Sequence, residues 1–289
     1  MIFLIKILFS DLDGTLLYIP PVLTRGVSEE NRAAIRRLQE SGVRFAIATG
    51  RSVNFLPQHY GADLVFDTVG ICGASIRLNG QFIYQTDFDH DEIDALLDVF
   101  SDSAYEHRFL VVTQENDYIF EDPFGEQAME YKLNPKQRIR DCRYVLDQSI
   151  AEYIRDPHHT HITACFCHFQ QEEGVDYYKD MLKRKFFGRY QIIQTSPYSI
   201  VILKDGANKG TGIAKIAALT GIGLDEVAVV GDSENDFEMF AMIPHSYCMS
   251  HARPDIQAKA KTIVSSVAEC IDLIIKENEQ EQLENLNLL

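Results

Sequence analysis

A short apolar segment that ends in two aspartates limits the folds open to this chain. Ile2 to Phe9 is β-rich, lacks turn residues and runs straight into Asp11-Leu12-Asp13-Gly14-Thr15. Such a run reads as a buried strand that Gly14 and Thr15 then break. Two carboxylates are left at the carboxyl end of a central strand, the edge where open α/β sheets bind their ligands. Adjacent carboxylates repel and call for a positive partner. A hard divalent cation with oxygen ligands, such as Mg²⁺, meets that need. On Asp-x-Asp alone, an acidic loop is an equal reading.

The next stretches repeat the pattern. Ser28 can cap a helix that opens on Glu29 and Glu30, with Ala34, Ile35 and Leu38 as its apolar stripe and Gly42 past its end. Val43 to Ala48 is a second buried strand ending in Thr49-Gly50-Arg51-Ser52, which makes a βαβ unit with two polar turns at one sheet edge. Ser52 can cap another helix. Leu64–Phe66 and Val69–Cys72 read as short strands, and Ser75–Tyr84 reads as a hairpin turning at Asn79-Gly80. From about Asp87 the periodicity changes. A helix over 89–100, a strand over 108–113 and a turn at Glu115-Asn116-Asp117 precede a weakly patterned middle. A strand over 162–169, a helix over 173–187 and strands near Gln191 and over 199–203 follow, grouped as in an α+β domain.

After Lys204 to Gly210 the first pattern returns. A helix over 209–219, a strand over 225–230 ending in Gly231-Asp232-Ser233-Glu234-Asn235-Asp236, and a short helix through Met239 come next. A strand over 247–249, a helix from Pro254 through Ala260, a strand near Ile263 and a helix over 267–275 complete the series, and the acidic end from Glu277 is expected to fray.

Length and charge narrow the function classes. The chain has 289 residues, enough for about two domains. Its formal net charge is −16 and it has no basic run, which argues against nucleic acid and anionic membranes as partners. The six cysteines lack a disulfide spacing, so a reducing cytoplasmic compartment is expected, with Cys165 and Cys167 as small buried hydrophobes. No stretch is long and apolar enough to read as a bilayer span. His158, His159 and His161 read as a solvated loop, and Phe186-Phe187 as core. There is no Gly-x-x-x-x-Gly-Lys loop.

Four polar turns remain: Asp11-x-Asp13-Gly-Thr15, Thr49-Gly50-Arg51, Asn208-Lys209-Gly210 and Gly231-Asp232-Ser-Glu-Asn235-Asp236. Each is weak alone. In this order and spacing, together with Ala252-Arg-Pro-Asp255, they resemble the haloacid dehalogenase superfamily of phosphohydrolases, and in particular its Cof-type group. The resemblance runs from Phe9 to about Ser265. It implies a three-layer Rossmann-like α/β core with a parallel sheet, formed by residues 1–84 and 203–289. Residues 85–202 would be an inserted α+β cap that selects the substrate, with hinges near 85 and 203.

It also implies roles. Asp11 would be the nucleophile of an aspartyl-phosphate mechanism and Asp13 the acid and base. Lys209, the Thr49 hydroxyl, the Gly50 amide and Asn235 would hold the phosphate, Thr49 and Lys209 as part of the catalytic set. Mg²⁺ would bind the Asp11 side chain, the Asp13 carbonyl and Asp232, with Asp236 behind them orienting Lys209 or a metal-bound water. Arg51 fits an ion pair as well as a substrate contact. The chain departs from the Cof pattern at Cys72-Gly73-Ala74, where the family usually has Asn-Gly-Ala. The expected activity is hydrolysis of a small phosphorylated metabolite such as a sugar phosphate, by a monomer or weak homodimer. A phosphomutase of the phosphomannomutase type and an idle phosphate-binding regulatory domain are the alternatives.

Overall fold

The computed structural model describes residues 4–19, 22–23, 26–53, 66–101, 104–113, 117–120, 144–147 and 161–287. Its strands are β1 (Ile7–Ser10), β2 (Tyr18–Ile19), β3 (Val22–Leu23), β4 (Arg44–Ala48), β5 (Asp67–Gly70), β6 (Ser75–Leu78), β7 (Gln81–Gln85), β8 (His107–Thr113), β9 (Asp117–Phe120), β10 (Tyr144–Asp147), β11 (Ile162–Phe169), β12 (Tyr190–Ser196), β13 (Ser199–Lys204), β14 (Val227–Gly231), β15 (His245–Met249) and β16 (Thr262–Val264). The α-helices are α1 (Glu29–Glu40), α2 (His90–Phe100), α3 (Glu172–Lys185), α4 (Lys209–Thr220), α5 (Phe237–Met242), α6 (Pro254–Gln257) and α7 (Val267–Asn287).

The chain forms two compact units. One holds the chain up to Val53, the stretch ending at Ile83 and everything from Asn208 on, and the other holds Tyr84–Ala207. The first unit carries a sheet in the order β16-β15-β14-β1-β4-β5-β6-β7. Pairing is parallel from β16 to β5, and β6 turns back antiparallel on β5. The central strands are apolar on both faces because both are covered: Leu8, Phe9, Ala46, Ile47, Val229 and Val230 are all fully buried. From β1 the chain moves one way through α1 to β4, and from β14 it moves the other way through α5 to β15. Right-handed crossovers in opposite directions put the two helices on opposite faces, giving three layers. The order reverses between β1 and β14, so the binding crevice of an open sheet falls at their carboxyl ends.

Local chemistry explains the elements that match the sequence pattern. Ser28 Oγ accepts the Asn31 N–H at 3.1 Å and caps α1, whose Ala34, Ile35 and Leu38 are buried. Asn79 and Gly80 both have positive φ, as a type I′ hairpin requires. Four expectations for this unit need correction. β1 begins at Ile7, so Leu4 to Lys6 are not strand, and the Ile2-Phe3 start of that expectation lies outside the described residues. Ile71-Cys72-Gly73 is a tight turn, not the end of a strand, with Ile71 and Cys72 both at left-handed φ. α6 stops at Gln257, after which the chain bends through Ala258 to Lys261 into β16. The acidic end does not fray at Glu277: α7 runs to Asn287, because the Asn278 amide pairs with both backbone groups of Ile5 at 2.9 Å.

The second unit has its own sheet, β10-β9-β8-β11-β13-β12, antiparallel except between β9 and β10. Its core is aromatic, with Tyr178 of α3 stacked on Phe100 and Phe169 at ring separations of 5.0 and 5.2 Å. Cys165 and Cys167 are buried there, as expected. Phe186 joins that core, but Phe187 is 91% exposed, which corrects half of that expectation. His161 pairs with Asp87. Pro20-Pro21, the Leu64-Val65 end of an expected strand, the helix expected after Ser52, the Glu115-Asn116 turn, Cys142 and His158-His159 lie outside the described residues.

Candidate active site

The site is built where β1 and β14 end side by side. The Asp11 N–H donates to the Val230 carbonyl at 2.8 Å, which extends the ladder to the first aspartate. Residues Leu12–Leu16 then coil tightly, and the Leu17 N–H reaches back to the Leu12 carbonyl at 2.8 Å. Gly14 makes this coil possible. Its φ is +86°, and a Cβ at that position would collide with the Asp232 carboxylate. The close approach lets Thr15 Oγ1 donate to Asp232 Oδ1 at 2.9 Å, tying the two strand ends together.

Lys209 enters from α4. Asn208 caps that helix by a reciprocal box: the Thr211 N–H donates to Asn208 Oδ1 at 2.9 Å, and the Asn208 N–H to Thr211 Oγ1 at 3.1 Å. The first helical residue is thereby fixed, and Lys209 is fully buried. Its ammonium donates to Asp11 Oδ1 and Asp236 Oδ1, each at 2.6 Å, and to Asn235 Oδ1 at 3.0 Å. Three donors meet three acceptors, so the group is satisfied in a dry setting. Asp236 is fixed in turn, because its Oδ2 accepts the Asp232 and Ser233 N–H groups at 2.9 and 3.0 Å.

The charge count is unbalanced. Burial pushes the Asp11 carboxyl well above the usual range; Lys209 opposes that, and Asp236 and Asp232 add to it. Burial, then Asp236, raises Asp232 as well. Burial works against the Lys209 charge, but Asp11 and Asp236 outweigh it and keep the ammonium protonated. One ammonium faces three carboxylates. Asp11, Asp232 and Asp236 hold oxygens within 4.8 Å of one another, an acidic triad that could hold a metal ion. The donors are hard oxygens and the surplus charge is negative, so the residues fit a cation such as Mg²⁺. Both Asp236 oxygens are already engaged, which leaves Asp11 and Asp232 as the better side-chain ligands.

The second polar turn lies beside this cluster. The Thr49 N–H is held by the Val69 carbonyl at 2.8 Å, and the Thr49 carbonyl accepts the Cys72 N–H at 2.9 Å. A side chain on Gly50 would reach Cys72 Sγ and the Asn235 amide, so the backbone of Gly50 borders both. Cys72 is buried, and burial pushes its thiol up to about 12. The turn that carries it approaches α4 closely: Gly73 has φ +96°, and any Cβ there would strike the Asn208 carbonyl. The Asp13 carboxylate is paired with Arg51.

The structure thus gathers Asp11, Asp232, Asn235, Asp236 and Lys209 into one bonded cluster, with Gly50 at its border. Thr49 is fixed by its backbone beside Cys72, and Asp13 is bound to Arg51 rather than to the cluster. Sequence reasoning gave no role to Thr15, although it stands in the first motif. It missed Ser233, whose hydroxyl donates to Asn235 Oδ1 at 2.8 Å. It also missed His251, which stacks on Tyr18 at 3.9 Å and brings Nε2 to 3.7 Å from Asp232 Oδ2. No local pattern marks that contact.

Comparisons with known proteins agree with the geometry. Residues 8–272 match the family model of the haloacid dehalogenase-like hydrolases. Phosphatase YwpJ of Bacillus subtilis is 25% identical, over 89% of this chain and 94% of its own. The 5-amino-6-(5-phospho-D-ribitylamino)uracil phosphatase YwtE of the same organism is 28% identical, over 90% and 93%. Among solved structures, a haloacid dehalogenase-like hydrolase from B. subtilis superposes with a TM-score of 0.81 at 20% identity, covering 93% of this chain and 99% of that one. The fold, the strand-end cluster and these relatives agree: the chain belongs to the haloacid dehalogenase-like hydrolases, among their Cof-type phosphatases.

Proposed function

We propose that this phosphatase hydrolyses small phosphorylated metabolites, sugar phosphates among them, through a covalent phosphoryl group on Asp11, with Mg²⁺ as cofactor. The observation that carries the reading is the buried Lys209 ammonium, 2.6 Å from both Asp11 and Asp236 at the crevice between β1 and β14. In the first step an Asp11 oxygen attacks phosphorus, the ester P–O bond breaks, and Asp13 gives a proton to the departing oxygen. In the second step water attacks phosphorus, the bond to Asp11 breaks, and Asp13 takes the water proton. Lys209 bridges Asp11 and a phosphoryl oxygen, which takes the place of Asn235 Oδ1, its longest partner at 3.0 Å, while the Thr49 hydroxyl, the Gly50 N–H and the Asn235 amide N–H donate to the phosphoryl group. Asp236 keeps Lys209 aimed. Asp11, the Asp13 carbonyl and Asp232 would hold Mg²⁺, which supplies further charge against the phosphate oxygens.

The inserted unit, Tyr84–Ala207, is assigned the choice of substrate. The two passages of chain at its ends are the places where a hinge would act. YwtE, whose name gives a phosphate ester of a ribitylamino compound, supports a small polyhydroxylated metabolite. The test is phosphate release from a panel of phosphorylated metabolites, with and without Mg²⁺. Mg²⁺-dependent release from small esters is expected. A hexose monophosphate isomerised without loss of phosphate would point to a phosphomutase. No turnover of any ester would leave only a phosphate-binding domain.

A further inference from the structure

We infer that Arg51 is the positioning residue for Asp13 in both proton transfers; the inference rests on the acid and base role given to Asp13 above. Arg51 Nε donates to Asp13 Oδ2 at 2.6 Å, and Nη2 donates to Oδ1. The planar guanidinium meets the carboxylate through two bonds, which fixes its direction as well as its place. Among the described residues, both bonds found at this carboxylate come from Arg51.

The arm itself is anchored. The Arg51 N–H donates to Thr49 Oγ1 at 3.1 Å, and its carbonyl accepts the Ile71 N–H at 3.0 Å. Ile71 and Cys72 stand at φ +50° and +48°, a region that a β-branched residue rarely adopts. The turn that grips the Arg51 backbone is therefore strained, as turns at working sites often are.

Stability does not account for the pair. The two side chains are 31% and 44% exposed, and exposed ion pairs add little to folding. Geometry does. Asp13 is an exposed residue in a coil with no helix or strand to hold its side chain. A carboxylate has about four lone-pair sites, and the guanidinium fork takes two of them, which leaves one on each oxygen for a proton in transit. Proton transfer is sensitive to small misplacements, so an unheld Asp13 would deliver and collect protons less well.

The test is kcat/KM for 2,4-dinitrophenyl, 4-nitrophenyl and phenyl phosphate and for glycerol 3-phosphate, with wild type, Arg51→Ala and Arg51→Lys, and with Tm for each. Arg51→Ala should lose about 30-fold on phenyl and glycerol esters, where the departing oxygen needs a proton. It should lose less than about threefold on the dinitrophenyl ester, whose acidic phenol leaves unprotonated. KM for the phenyl and glycerol esters and Tm should hardly move, whereas KM for the dinitrophenyl ester should fall together with kcat as the water step becomes limiting. The dinitrophenyl ester should also give a burst of one equivalent of phenolate, since the water step still needs Asp13 as base. Arg51→Lys keeps the charge with little risk to the fold and should show the same steepened dependence, because an ammonium cannot form the fork. A uniform loss along the series, a loss carried by KM, or full rescue by lysine overturns the inference. A wild type that turns over none of the esters overturns the reading of Asp13, and the inference with it.

Discussion

Lys209 and Asp11 form the pair on which the site turns, and each substitution there has a distinct expected signature. Asp11→Asn removes the proposed nucleophile and should lower kcat by about 10³-fold or more. Because burial already disfavours the charged Asp11, the neutral amide should leave Tm near that of wild type. Lys209→Met should do more, because it strands Asp11 and Asp236 in a buried setting without their ammonium. A loss of about 3–5 kcal/mol in urea unfolding is expected, with loss of turnover. Residues of this kind were legible in the sequence because each follows an apolar run or starts a helix, and because the order and spacing of the four turns resemble those of a known family. The Tyr18–His251 stack was not, and the Arg51–Asp13 fork was legible only as an ion pair at Arg51 with no partner named. They join exposed or half-exposed groups far apart in sequence, and no periodicity records such a meeting.

Single elements set the aim of these residues. Asn208 caps α4 immediately before Lys209. Asn208→Ala should cost about 1 kcal/mol in stability and lower kcat, since the first turn that holds the ammonium loosens. Gly14→Ala forces a side chain at φ +86° into Asp232. It should weaken Mg²⁺ binding, read by titration calorimetry, more than it lowers Tm. At the far end of the unit, Asn278→Ala removes two hydrogen bonds to Ile5 and should cost about 1–3 kcal/mol. That contact explains why the acidic end was misread. Charge density at Glu277 to Glu284 suggests a solvated tail, whereas its Glu, Gln and Leu content favours a helix once one side-chain amide fixes it. The turn at Ile71–Gly73 was misread for a similar reason. Val69-Gly70-Ile71-Cys72 reads as strand, whereas the contacts of Ile71 with Arg51, of Cys72 with Thr49 and of Gly73 with Asn208 set a turn at left-handed φ.

At the scale of the molecule, the fold class follows from βαβ patterning on either side of a differently patterned insert, and the two sheets reflect that division. No helix among the described residues is long and apolar enough to cross a membrane. The net charge of −16 means that an anionic substrate depends on local positive charge, and the strand-end cluster offers only one buried ammonium for it. The covalent step at Asp11 is therefore the claim on which the rest depends. The most direct measurement is rapid quenching of wild type during turnover, borohydride reduction and peptide mass spectrometry. An acyl phosphate at Asp11 reduces to homoserine, so the account predicts homoserine at residue 11, absent when substrate is withheld. Turnover with an unmodified residue 11, or with the label on another residue, would contradict it.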